Sequence, residues 1–140
     1  PIKSSAASDV YKRQPYNRGS SPNFFSFLEN TPKGVTIHLM SAGLDEGDIL
    51  CQRELHFDEE KETFASTYEA LLQEIEKLFR ENWQQIREGS IIPVKQAGPV
   101  TYHRMKDLDA IREKVDFDWN MKIGDFKRAY EKAMRKDENS

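Results

Sequence analysis

The chain has 140 residues, of which 37% are hydrophobic and 32% are charged, and its formal net charge is -3. This length allows one domain with one core and does not allow two. No apolar run approaches the roughly 18 residues of a membrane-spanning helix, and we expect neither membrane insertion nor a signal peptide. The single cysteine, Cys51, excludes an internal disulfide and a thiolate metal cage, which fits a reducing cytoplasm. Because acidic residues outnumber basic ones, we do not expect a uniformly basic surface that would bind nucleic acid.

Residues 4–14, SSAASDVYKRQ, differ from the rest of the chain. They contain no capping signal, no turn chemistry and no apolar period that continues into the following residues. The string resembles the translation of a transposon adapter used to build sequencing libraries. We therefore expect residues 1–14 to be a non-native segment and leave them out of the fold prediction. The alternative is an ordinary disordered N-terminal arm.

A short helix and two strands are predicted next. Ser21 is a good N-cap before Pro22, and the helix should run to about Glu29. Two β-rich runs follow, Val35 to Met40 and Ile49 to Phe57, and the loop between them contains two glycines that permit an irregular backbone. The pattern is strand, loop, strand.

One long amphipathic helix is predicted from Thr63 to Gly89, because apolar residues recur there at intervals of three and four. Gly89 should end it, with Arg87 in the last turn where a cation suits the helix dipole. Phe79 and Trp83 could form a platform for base stacking, but their spacing favours packing in the core. The apolar positions are Phe64, Tyr68, Leu71, Leu72, Ile75, Leu78, Phe79, Trp83 and Ile86.

The remaining residues predict a short strand and two helices. The strand should lie near Val100 to His103, and the helices near Asp107 to Lys114 and Ile123 to Lys136. We expect Asp137 to Ser140 to be frayed.

Acidic residues and a histidine surround the loop between the two strands. Asp45, Glu46 and Asp48 lie in it, and His38 lies on the strand that leads into it. A carboxylate near an imidazole at a strand end suits acid–base chemistry. The alternative is that Asp45 and Asp48 bond their own backbone in a turn and that His38 is a satisfied strand residue.

The run from Gly34 to Leu50, GVTIHLMSAGLDEGDIL, closely resembles the signature of the folate-dependent formyltransferases that act on glycinamide ribonucleotide, methionyl-tRNA and amino-sugar nucleotides. Pro15 to Gly19 resembles the end of the family motif Asn-x-His-x-Ser-Leu-Leu-Pro-x-x-x-Gly. Thr63 to Ser66 and the long helix match the family order, so the resemblance extends to about Tyr102. It implies an α/β fold: the C-terminal part of a Rossmann-like formyltransferase domain at residues 15–105, with a helical tail at 106–140.

The resemblance also implies a site and a reaction, the transfer of a formyl group from 10-formyltetrahydrofolate to a primary amine. Asp45 would help to deprotonate the amine, through a water, and His38 would have an orienting role unless it is a core histidine. Attack of the amine on the formyl carbon gives a tetrahedral intermediate, and its negatively charged oxygen needs hydrogen-bond donors directed at it. The pterin pocket would be lined by Gly43, Leu44, Glu46 and Gly47.

Two residues depart from the family pattern. The catalytic asparagine and histidine should stand at positions 8 and 10, which here hold Ser8 and Val10. We expect the chain as written to be inactive and poorly folded, because half of an α/β sheet leaves an unpaired edge and an uncovered apolar face. If Ser8 and Val10 are native, the chain is instead a non-catalytic binding domain on the same fold.

The acceptor is predicted to be a small-molecule amine, and an amino-sugar nucleotide is the preferred candidate. Arg18, with Tyr16 and Asn17, would hold the acceptor, since a guanidinium binds phosphate bidentately; a surface ion pair is the alternative for Arg18. Methionyl-tRNA and glycinamide ribonucleotide remain alternative acceptors. His56 and His103 have no partners at ligand spacing, so no metal site is predicted.

Overall fold

A computed structural model of the chain describes residues 6–9, 18–19, 22–39, 47–96 and 102–139. Its elements are, in chain order, β1 Ala6–Asp9, β2 Arg18–Gly19, α1 Pro22–Leu28, β3 Lys33–Leu39, β4 Ile49–Leu55, α2 Phe64–Glu88, β5 Tyr102–His103, α3 Met105–Arg112 and α4 Ile123–Glu138. No helix in this part of the chain is both long enough and apolar enough to cross a bilayer.

The main sheet has three antiparallel strands in the order β1-β3-β4. The central strand, β3, is buried from Gly34 to His38. A second, two-stranded sheet pairs β2 with β5 in parallel. The strand–loop–strand prediction is confirmed at both strands, which begin or end within two residues of the predicted bounds.

Strand β1 lies within residues 1–14, the segment that the sequence analysis leaves out. Its backbone pairs with β3 from Ala6 opposite Leu39 to Asp9 opposite Thr36. Strand pairing is made by backbone N–H and C=O groups, which every residue other than proline carries. This pairing therefore does not require a particular sequence in β1.

Helix α2 is confirmed as one helix of 25 residues, and both of its ends follow from local chemistry. The Thr63 hydroxyl accepts a hydrogen bond from the Ser66 backbone N–H, and the Ser66 hydroxyl accepts one from the Thr63 N–H, each at 2.9 Å. This reciprocal pair satisfies two of the N–H groups that a helix start leaves unpaired. At the other end Gly89 has φ of 69°, a left-handed conformation that suits glycine.

Two hydrophobic clusters hold the described elements together. The first is aromatic and joins α1, the start of α2 and the C-terminal helices, with Phe24, Phe27, Phe64 and Phe126 each 1% exposed. The second is aliphatic and packs α2 on the sheet; its buried members are Val35, Ile37, Leu71, Ile75 and Leu78. Burying one such side chain contributes about 1.5–3 kcal/mol, so these clusters are the main stabilising term.

Two sequence predictions about the helices are wrong. Phe79 and Trp83 do not pack in the core: they are 39% and 48% exposed. The reason is that the sheet covers only the narrow stripe through Leu71, Ile75 and Leu78, and one further residue turns Phe79 about 100° away from Leu78. The chain is also not frayed from Asp137, because α4 continues to Glu138 and Asp137 Oδ2 lies 3.0 Å from Lys114 Nζ.

Candidate functional site

His38 lies one residue before the end of β3 and is only 6% exposed. Its Nδ1 is 2.7 Å from the backbone oxygen of Leu39. Because a carbonyl oxygen can only accept, Nδ1 must carry the proton, which assigns the tautomer and leaves Nε2 as the nitrogen with a lone pair in the neutral ring. The neighbouring backbone thus sets the orientation of the imidazole.

Gly47 is pressed against this histidine. A Cβ at position 47 would overlap the Leu39 carbonyl oxygen and would lie 3.0 Å from His38 Nδ1. Only glycine fits a backbone approach this close. The Gly47 carbonyl oxygen accepts a hydrogen bond of 2.7 Å from Gln96 Nε2.

The backbone around this contact is locked by hydrogen bonds. The Leu39 N–H donates to the Asp48 oxygen at 2.9 Å, and Ile49 exchanges two backbone bonds with Val94, at 2.7 and 2.8 Å. A β-bulge also falls here: Ile37 pairs with Cys51 and His38 with Ile49, so β4 carries one extra residue. Bulges re-aim side chains and are frequent beside active sites.

Several predicted site residues lie outside the described part of the chain. Asp45, Gly43, Leu44 and Glu46 belong to residues 40–46, and Tyr16 and Asn17 to residues 10–17. The two ends of segment 40–46 are Leu39 and Gly47, which the structure brings into contact. Of the predicted site, the structure therefore brings together His38 and Gly47.

Positions 8 and 18 are described through their backbone alone. Ser8 stands opposite Ile37 in the β1–β3 pairing, next to the Ala7–His38 pair, while Val10 lies outside the described residues. The backbone of Arg18 pairs with Tyr102 in the small sheet. The position at which the resemblance expects a catalytic asparagine is thus on the strand beside His38.

The described residues support neither a cysteine nucleophile nor a metal site. Burial raises the pKa of the Cys51 thiol, which disfavours the nucleophilic thiolate. In the ranges that the structure describes, no three side chains of His, Cys, Asp or Glu are grouped as metal ligands would be.

Gln96 contacts the candidate site through its hydrogen bond to Gly47 and could not be identified from the sequence. It is 49 positions from Gly47, and neither its type nor its neighbours carry a signal that links the two.

Comparisons with known proteins identify relatives of the chain. No protein-family model matches it. The solved structure of the formyltransferase PseJ from Anoxybacillus kamchatkensis, in complex with UDP-4,6-dideoxy-4-formamido-L-AltNAc and tetrahydrofolate, matches with a TM-score of 0.78 and 40% identity over 85% of this chain and 62% of that chain. The relatives of this chain are formyltransferases.

Two curated formyltransferases are also similar in sequence. The dTDP-4-amino-4,6-dideoxyglucose formyltransferase of Mycobacterium bovis is 35% identical over 98 residues, which are 70% of this chain and 42% of that protein. The methionyl-tRNA formyltransferase of Clostridium botulinum is 32% identical over 96 residues, which are 68% of this chain and 31% of that protein. The chain thus spans less than half the length of these curated relatives.

These findings confirm the family resemblance and the fold class that were read from the sequence. The likeness to a solved formyltransferase, together with α2 packed on the antiparallel β3–β4 pair, shows part of a Rossmann-like formyltransferase domain.

Proposed function

We propose that the chain is part of the catalytic domain of an enzyme that transfers a formyl group from 10-formyltetrahydrofolate to the primary amine of an amino-sugar nucleotide. The observation that carries the proposal is the match to PseJ, a formyltransferase whose structure holds a formamido sugar nucleotide and tetrahydrofolate. The mycobacterial relative also acts, by its name, on an amino-sugar nucleotide.

The proposed reaction needs a neutral amine and a stabilised oxyanion. The amine nitrogen bonds to the formyl carbon, the bond from that carbon to N10 of the folate breaks, and N10 takes up a proton as tetrahydrofolate leaves. Asp45 accepts the proton that the amine loses, through a water. His38 has the orienting role, supported by its burial and by the hydrogen bond that fixes its tautomer.

The pterin of the co-substrate is proposed to lie against the loop that contains Gly43, Leu44, Glu46 and Gly47. Gly47, the described end of that loop, is packed against the Leu39 backbone and the His38 ring, so it holds this end of the loop beside His38.

Arg18, with Tyr16 and Asn17, is proposed to hold the phosphates of the acceptor, since a guanidinium forms paired hydrogen bonds to phosphate oxygens. Methionyl-tRNA is the second candidate acceptor, because a methionyl-tRNA formyltransferase is 32% identical to this chain. A non-catalytic domain is the alternative if Ser8 and Val10 are native.

The nucleotide sequence upstream of Pro15 tests the proposal. In an independent assembly of the same gene, we expect the codons before Pro15 to encode the family motif, with asparagine and histidine in place of Ser8 and Val10. If Ser8 and Val10 recur there, the catalytic proposal is wrong and the binding-domain alternative takes its place.

A further inference from the structure

Segment 40–46, which contains Asp45, is fixed at its N-terminal end by contacts within the β3–β4 unit. The Leu39 N–H donates a hydrogen bond to the Asp48 oxygen at 2.9 Å. The Leu39 oxygen accepts one from His38 Nδ1 at 2.7 Å. Residues that are close in sequence therefore hold this end of the segment.

The C-terminal end of the segment is held by a residue from a more distant part of the chain. The Gly47 oxygen accepts a hydrogen bond of 2.7 Å from Nε2 of Gln96, which is 49 positions later and has a half-buried side chain. This separation lies within the usual range for N–H···O hydrogen bonds. Asp45 is two residues before Gly47, so the bond fixes the backbone close to the residue that we propose as proton acceptor.

Strand register explains why Gln96 reaches this oxygen. Ile49 and Val94 form an antiparallel bridge and exchange two backbone hydrogen bonds, of 2.7 and 2.8 Å. Continuing this register by two residues places Gly47 opposite Gln96. In a regular ladder a backbone N–H would donate to the Gly47 oxygen, whereas here the side-chain amide of Gln96 donates to it. The bond therefore depends on the residue type at position 96.

We propose that Gln96 is a positioning residue for formyl transfer, which acts by fixing the backbone of the loop that contains Asp45. This role rests on the proposed function, in which Asp45 accepts the proton of the amine and the same loop lines the pterin pocket. A displacement of about 1 Å at a reacting group can lower a rate about 100-fold. Loss of the Gln96 amide leaves the Gly47 carbonyl to bond water, so the loop is no longer held at this end.

Two substitutions in the full-length enzyme test this role. Gln96→Glu keeps the shape of the side chain but cannot donate a hydrogen bond as a carboxylate at pH 7, and Gln96→Ala removes the group. In both variants kcat should fall about tenfold or more and the tetrahydrofolate Kd should rise about threefold or more. The KM of the acceptor should stay within about twofold of the wild-type value, because the acceptor phosphates bind elsewhere. Steady-state assays and folate titration measure these quantities.

Asn82→Asp is the matched control. Asn82 Nδ2 donates to the Leu78 oxygen at 2.9 Å, so this substitution also removes a hydrogen bond from a side-chain amide to a backbone carbonyl, but within α2. Its kcat and folate Kd should equal those of the wild type, and urea denaturation compares the stability of all variants. A fall in kcat that follows the loss of stability in Asn82→Asp and in the Gln96 variants alike would overturn the positioning role.

The outcomes separate this role from the function on which it rests. If the wild-type enzyme transfers formyl groups and both Gln96 variants keep its kcat, the positioning role is wrong and the proposed function stands. If the wild-type enzyme formylates neither an amino-sugar nucleotide nor glycinamide ribonucleotide nor methionyl-tRNA, the proposed function is wrong, and the positioning role is wrong with it.

Discussion

The two ends of the β3–β4 pair are built differently. At the His38 end the backbone fills the space: Gly47 leaves no room for a Cβ, and backbone hydrogen bonds join Leu39 to Asp48 and Ile49 to Val94. At the Lys33 end side chains surround an open cavity of about 320 Å³. Backbone contacts thus fix the orientation of His38 at the first end, whereas side chains leave open space at the second end.

The largest effect is expected from Asp45→Asn in the full-length enzyme. Formyl transfer should fall by about 100- to 10,000-fold, because the amide has the shape of the carboxylate but cannot accept the proton of the amine. Steady-state assays and tetrahydrofolate binding measure the two consequences, and the loss should appear in kcat with the folate Kd nearly unchanged. Glu88→Gln should retain full turnover. Near wild-type turnover in Asp45→Asn would remove this residue from the mechanism.

Two alanine substitutions compare the ends directly. Both are made in the full-length enzyme: in Gly47→Ala the new Cβ overlaps the Leu39 oxygen, and in Gly34→Ala it overlaps the Arg53 oxygen. Each should lower the free energy of unfolding by about 1–3 kcal/mol, since neither backbone can yield without losing strand pairing. Urea denaturation measures this loss.

Folate affinity should separate the two variants. Only Gly47→Ala disturbs the His38 ring, so only this variant should weaken tetrahydrofolate binding beyond its loss of stability. An equal loss of affinity in Gly34→Ala would show that the contrast between the two ends does not concern the site.

A smaller effect is expected at the acceptor side. Arg18→Ala should raise the KM of the acceptor about tenfold, or ~1.4 kcal/mol, with kcat unchanged, because a lost phosphate contact weakens ground-state and transition-state binding alike. Arg80→Ala, at an arginine 76% exposed on α2, is the control and should leave KM unchanged. An unchanged KM in Arg18→Ala would favour the surface ion pair.

The smallest effect concerns Cys51, in β4 between the two ends. Its raised pKa means that less Cys51 thiolate is present at pH 8 in the folded full-length enzyme than in the same enzyme unfolded by urea. Alkylation by iodoacetamide should therefore be at least about threefold slower in native buffer than in urea, as mass spectrometry can follow. Equal rates would mean that Cys51 is not buried as described.

Local signals were sufficient to predict most of the elements. Thr63 and Gly89 mark the ends of α2 because caps act within one turn, and the β-rich runs mark β3 and β4. The exposure of Phe79 and Trp83 could not be predicted, since it depends on how much of α2 the sheet covers. A spacing pattern identifies an apolar face but not its width.

The candidate site also has residues that could be predicted from the sequence and residues that could not. His38 and Gly47 could be found because they lie in one continuous motif. The contact of Gln96 with Gly47 joins residues 49 positions apart, and the cavity at Lys33 is formed by α1, β4 and the β4–α2 connection. Such long-range contacts depend on how distant segments pack together, and the sequence of one segment alone does not predict this packing.

Formyl transfer by the full-length enzyme tests the proposed acceptor directly. With 10-formyltetrahydrofolate as donor, amino-sugar nucleotides, glycinamide ribonucleotide and methionyl-tRNA are compared as acceptors by their kcat/KM, at two salt concentrations. We expect the highest kcat/KM for an amino-sugar nucleotide, with little dependence on salt. A preference for methionyl-tRNA that falls steeply with salt, as binding to a polyanion does, would contradict it.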